Sequence, residues 1–282
     1  MLFVALAGLS GLVWGFGDFA GGKAAQGAGA LSVTWLSKLV SLPLLALFVA
    51  LMYQPIDPTA VGWGAFAGCF GVLGAILFYR ALSQGAMTVV APVTAVTSAA
   101  IPVVVGLVSG ERPPPLPLVG VVCALLAIAL VSLAPPRPGE RVIVTPRLVG
   151  TAVLSGVGFA LFFVFVARAG DAGVDPGLWP IAASQSGALL LCGLLLVITR
   201  PGDWPRGISL RWTVVAGPLD LSANVLYLLA TRQADLSLVA PLAALYPVTT
   251  VLLAMIIDHE RIGSLQIAGL VLALAALLLV AT

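Results

Sequence analysis

Charge is what this sequence has least of. Of its 282 residues, 13 are Lys or Arg and 11 are Asp or Glu, a charged share of 9%, about a third of that in an ordinary soluble domain. There is one histidine, His259, and there are three cysteines, Cys69, Cys123 and Cys192, all inside apolar runs. Each scarcity excludes something. Water cannot be the only solvent of so apolar a chain. An odd cysteine count without ligand-like spacing gives no disulfide framework and no metal site, so no metal and no cofactor are expected. A net charge of +2, spread over connections, forms no patch for nucleic acid.

What fills the chain is hydrophobic: 61% of residues, with a mean hydropathy of +1.15. Ten apolar runs stand out, at 2–22, 31–53, 59–80, 86–108, 116–134, 147–168, 177–199, 210–230, 236–257 and 263–281. A membrane-spanning helix takes about 20 residues, so ten of them leave too little chain for a soluble domain. The expected class is an all-α integral membrane protein with ten transmembrane helices. The first run lacks the basic leader of a signal peptide. Arginine outnumbers lysine eleven to two, a bias that fits a GC-rich bacterium and hence a multi-pass protein of its cytoplasmic (inner) membrane.

The two halves are related. Val90-Ala91-Pro92 recurs as Val239-Ala240-Pro241, and the same shift of 149 carries Gln84 to Gln233, Glu111-Arg112 to Glu260-Arg261 and Gly120 to Gly269. From Leu77 to Leu133 roughly 17 of 57 aligned positions are identical, against about a tenth by chance, so the match is a repeat and not shared hydrophobicity. Leu9-Ser10-Gly11 aligns with Leu154-Ser155-Gly156 at a shift of 145, and Ser37-Lys38 with Ser184-Gln185 at 147. The units are 1–134 and 147–282, joined by a linker over 135–146. Five spans per unit is an odd number, so the second copy enters the bilayer from the other side. Two inverted halves can rock about a site between them.

Trp14-Gly15 in the first run, Tyr246-Pro247 with His259-Glu260-Arg261 twelve residues on, and Gly110-Glu111-Arg112 in the first half resemble the EamA-like family of the drug/metabolite transporter superfamily. The resemblance spans the chain. It implies a ten-helix carrier that moves small metabolites or drugs, often outward, with amino acids among the substrates of some relatives. The expected function is therefore secondary active transport by alternating access, with export and proton coupling as its finer form. Its partners would be a small-molecule substrate, the lipid bilayer and protons. A monomer suffices, since the two fused halves already form the inverted pair. One departure is visible: Ser98 stands where the second half has Pro247, with Pro102 four residues along.

Two readings compete with a carrier. An intramembrane lipid or prenyl transferase would need clustered acids for a metal, or a His with an acid near the interface; the one histidine, His259, stands at a helix end and no two acids on one apolar run are spaced as a metal pair, so an enzyme is not expected. A channel or membrane sensor is the other. Gly17 to Lys23 has the spacing of a phosphate loop, but Ala24 replaces the required Ser or Thr and an apolar helix precedes it.

Orientation has two answers. Nine Lys and Arg fall in connections opposite the N-terminus and three on its own side, which by the positive-inside rule puts both termini outside. The family resemblance implies both inside. A reporter active only in the cytoplasm, fused after Thr282, separates them: the charge rule predicts no activity, and activity would overturn it.

Ionisable groups at bilayer depth cost roughly 2.5–3.5 kcal/mol each and read as functional or paired. Asp220 lies about 15 Å into its run, with Asn224 and Tyr227 on the same helix face and Pro218 just before it. Asp18 and Lys38 sit at similar depths from one face, where an ion pair between them fits, as does a snorkelling Lys38. Gln185 would face the cavity from the second half, neutral where Lys38 is charged. Trp14, Trp35, Tyr79 and Tyr246 either line a cavity or sit in the interfacial belt. Pro92 and Pro241 are matched candidate bends or gating points, with Pro247 a third.

Overall fold

A computed structural model describes residues 1–82, 87–133, 145–170, 175–200, 202–257, 259 and 263–282, without the side chains of 79, 80, 82, 87 and 88. The side chain of Tyr79, most of the 135–146 linker and the Glu260-Arg261 pair lie outside the described residues.

Among the described residues there are twelve α-helices: α1 Leu2–Ala25, α2 Ala30–Val40, α3 Leu42–Leu51, α4 Pro58–Leu82, α5 Met87–Val108, α6 Pro115–Val131, α7 Pro146–Gly170, α8 Trp179–Thr199, α9 Gly207–Thr231, α10 Leu236–Ala243, α11 Tyr246–Ile257 and α12 Ser264–Val280. Eight segments are long and apolar enough to cross a membrane, counting α2 with α3 and α10 with α11 as one each. The other two apolar runs form the shorter helices α6 and α12. Helix is the physical answer to this composition, because in lipid each backbone N–H and C=O must find its partner within the chain. Six helices carry proline in the first turn (Pro43, Pro58, Pro115, Pro146, Pro180, Pro247), where its missing N–H costs nothing.

Two apolar runs that read as single helices are each broken. The run 31–53 parts at Ser41, just before Pro43, and 236–257 parts at Ala244-Leu245, just before Pro247. In each case proline removes the donor that would carry the helical ladder across. The first-half counterpart of α10 and α11 is α5, which runs unbroken through Pro92 and Pro102; it has Ser98 where the second half has Pro247.

The outside is apolar and the inside is small. Val104, Leu190, Val197 and Leu274 are largely exposed, whereas Ala7, Ala127, Ala240, Ser10, Ser98 and Ser155 are wholly or almost wholly buried. That is the pattern of helices that associate through close backbone approach instead of hydrophobic burial. The contacts recur in pairs at the repeat's own shifts. Ser10 donates to the Ala223 carbonyl at 2.9 Å, and Ser155 donates to that of Gly74 at 2.8 Å. Gly217 leaves room for the Ser37 carbonyl and Gly68 for that of Ser184. A Cβ on Gly120 would lie 2.7 Å from Val280, and one on Gly269 would lie 2.6 Å from Val131. Thus α1 packs on α9 as α7 packs on α4, α2 on α9 as α8 on α4, and α6 on α12. Matched contacts should carry matched energies. Ser10→Ala and Ser155→Ala are each expected to cost about 1 kcal/mol, equal within a few tenths in detergent unfolding. A loss confined to one of them would show that the halves do not share the bond.

Candidate functional site

Three charges, Asp18, Lys38 and Asp220, lie within the apolar helices themselves. α9 runs over 25 residues and Asp220 is its fourteenth, placing the carboxylate near the helix midpoint. Three residues earlier Gly217 exposes bare backbone, and the Ser37 carbonyl of α2 occupies the space a side chain would take. Lys38, the next residue, is thereby delivered to α9. Its Nζ lies 2.5 Å from Asp220 Oδ2, with the two side chains 17% and 34% exposed. Asn224, one turn along α9, donates to Asp220 Oδ2 at 3.1 Å and also to the Asp220 main-chain carbonyl.

α1 closes on the same spot. Gly17 passes the Asp220 backbone, and the neighbouring Asp18 is exposed within electrostatic reach of both Asp220 and Lys38. The direct Asp18–Lys38 pair anticipated from depth gives way to Lys38–Asp220. Tyr246, at the start of α11, is half-buried, beside Ser98 and within reach of Asp18. Lys38, Asp220, Asn224, Asp18 and Tyr246 thus converge from α1, α2, α9 and α11.

Other expected lining residues lie elsewhere. Trp14 and Tyr227 are buried in an aromatic knot with Phe162 and Phe163, with Trp14 ring centroids 5.4 Å from Phe163 and 5.7 Å from Tyr227. The Tyr227 hydroxyl is spent on the Phe163 carbonyl at 3.1 Å. Gln185 reaches Ser41, not the ion pair. Pro92 and Pro241 lie inside α5 and α10, and Pro247 stands in the first turn of α11.

The site has no charged twin. At the repeat's shifts, the second-half counterparts of Lys38 and Asp18 are Gln185 and Phe163, and the first-half counterparts of Asp220 and Asn224 are Gly71 and Ala75. Two carboxylates against one ammonium leave an excess negative charge when all three are ionised, suited to a proton or a cationic group. No group of three potential metal-ligating residues exists among the described residues. An apolar groove of about 620 Å³ between α1, α11 and α12, lined by Gly8, Leu12, Val248 and Leu277, lies apart from these charges.

At one end of the bundle the connections are stitched together. Arg232 pairs with Asp175 at 2.8 Å and donates to the Gly177 carbonyl. Trp179 Nε1 donates to the Gln54 carbonyl at 2.8 Å, and Arg168 to Ser109 at 3.0 Å. The Glu111 carboxylate accepts the N–H groups of Leu236 and Ser237 at 3.0 and 2.9 Å, capping α10 where its dipole favours an anion. Burial pulls the Arg232 guanidinium below its ordinary value and Asp175 opposes the shift, while burial, then Glu111, pushes the Asp235 carboxyl up. These contacts had no signal in the sequence beyond the placement of Glu111 at a helix end.

A family model described as the EamA-like transporter family matches residues 1–133 and 147–282. Among solved structures 28 chains match. One, described only as "Crystal structure of protein", has a TM-score of 0.79 at 17% identity, covering 99% of this chain and 98% of its own, a likeness of fold alone. No curated protein matches the chain.

Proposed function

The chain belongs to the EamA-like transporter family, within the drug/metabolite transporter superfamily, and on that premise we propose that it is a secondary active transporter exporting a small metabolite or drug-like solute, amino acids included, across a bacterial inner membrane. In this reading α6 and α12 complete a set of ten spans, and 1–134 and 147–282 form two inverted repeats that expose the central site alternately to each face. The paired Ser10 and Ser155 bonds and the two segments matched by the family model support the repeat.

The observation that carries the proposal is the Lys38–Asp220 pair at mid-helix with Asp18 in reach. Bare charges at this depth would be expelled or neutralised, whereas a partly exposed pair with a spare carboxylate can trade its partners for a solute's charges. A proton and a cationic group compete for the same carboxylates, which couples their movements. Saturable counterflow in proteoliposomes, surveyed across labelled amino acids and amines, tests the function: a carrier accelerates exchange of label when unlabelled solute is trapped inside, and a channel does not.

A further inference from the structure

Gln185 occupies in the second half the place that Lys38 holds in the first, yet it does not reach the ion pair. It is 97% buried, in a helix built on backbone contacts: Gly64 and Gly68 of α4 press against Pro180 and Ser184 of α8, and Gly187 presses on the Ala65 carbonyl. From this fixed base Gln185 Nε2 donates to Ser41 Oγ at 2.6 Å, and the fully buried Ser41 donates to the Lys38 carbonyl at 2.8 Å. Ser41 is the junction where α2 ends and α3 begins. Pro43 cannot donate to the Leu39 carbonyl there, so the ladder across the junction is one bond short.

We infer that Gln185 is a positioning residue for Lys38: through Ser41 it fixes the end of α2 and so the place of the ammonium opposite Asp220. The relay has one direction. Gln185 supplies a proton to Ser41 Oγ, which leaves the Ser41 hydroxyl proton for the Lys38 carbonyl. Leucine at 185 cannot donate. Glutamate there would accept the Ser41 proton instead and release Lys38. The repeat's second copy of the lysine position has in this way become the anchor of the first, joining the α4–α8 pair to the α2–α9 pair. The inference rests on the Lys38–Asp220 pair being the working site.

The chain holds only two lysines, Lys23 and Lys38, so ¹⁵Nζ-lysine labelling of the full-length protein in lipid nanodiscs gives two resonances, assigned with Lys23→Arg. Asp220→Asn sets the position of a Lys38 signal without its partner. Gln185→Leu and Ser41→Ala are each expected to move the Lys38 signal by at least about half of that displacement, and the double variant no further, because coupled residues in one relay are not additive. Ser155→Ala, which removes a comparable interhelical bond elsewhere, should leave the signal in place. A signal moved by Asp220→Asn but by neither Gln185→Leu nor Ser41→Ala overturns the role of Gln185 alone. Additive shifts in the double variant overturn the relay. A signal that Asp220→Asn itself leaves unchanged removes the ion pair and the proposed site with it. Ser41→Ala removes a single oxygen and keeps the test decisive if Gln185→Leu does not fold.

Discussion

Asp220→Asn is expected to abolish gradient-driven flux while the protein still purifies as a folded species. The substitution keeps shape and an oxygen for Asn224 and removes the charge that faces Lys38. Breaking a fully buried pair by deleting one partner costs about 3–5 kcal/mol. Here the side chains are 17% and 34% exposed, so solvent screening leaves a smaller share. About 2–3 kcal/mol of stability is lost, little enough for the protein to stay folded, while the flux that depends on the carboxylate's charge disappears. Lys38→Met should lose as much, since it leaves two carboxylates without a cation. Measured as dissipation of an imposed pH gradient in proteoliposomes when solute is added, unchanged coupling in Asp220→Asn would remove this carboxylate from transport.

In the proposed exchange Lys38 passes through an unpaired state, and Asp18 is the other carboxylate within its electrostatic reach. Asp18→Asn is therefore expected to spare the resting Lys38–Asp220 pair while removing the excess negative charge of the site. Its signature is flux that persists but no longer responds to the pH gradient. Flux that keeps its full pH response in Asp18→Asn would assign proton exchange to Asp220 alone.

The helices were legible in the sequence because hydropathy records how long a segment stays apolar. It does not record a lost N–H, so the interruptions before Pro43 and Pro247 vanish into continuous runs, and α6 and α12 come out at 17 residues each where the runs suggested 19. The identities between the two halves include packing positions such as Gly120 and Gly269, where an added Cβ would meet Val280 and Val131. In the site, Asp220, Asn224, Asp18 and Lys38 announced themselves as polar groups in apolar runs. Counting residues gives depth along a helix but not which neighbour it faces. Asp18 and Lys38 share a depth, yet Gly217 brings α2 onto α9 and hands Lys38 to Asp220. Tyr227 shares the stripe of Asp220 but lies two turns away, about 10 Å, where the same face meets Phe163 and Trp14. Ser41 is one of many serines in the sequence, and only the packing of α8 makes it a junction.

Gly217→Ala should be among the most damaging one-carbon changes in the molecule. In a helix interior Gly→Ala is ordinarily favourable by about 1 kcal/mol, and at Gly62 and Gly150, where an added Cβ meets nothing within 4 Å, it should be neutral or stabilising. At Gly217 the added Cβ overlaps the Ser37 carbonyl oxygen and the carbon behind it. Backbone meets backbone there, so no side-chain rotation relieves the overlap, and α2 must move off α9. Overpacking of this kind costs about 1–3 kcal/mol or more. The displacement also draws Lys38, one residue from the contact, away from Asp220, so flux should fall along with the unfolding temperature. Gly68→Ala makes the matching overlap with Ser184, next to Gln185, which acts on Lys38 only indirectly through Ser41. It should lose comparable stability, with a smaller loss of flux at a temperature where both variants stay folded. If Gly217→Ala behaves like Gly62→Ala in both stability and flux, α2 does not need bare backbone at Gly217 to present its lysine.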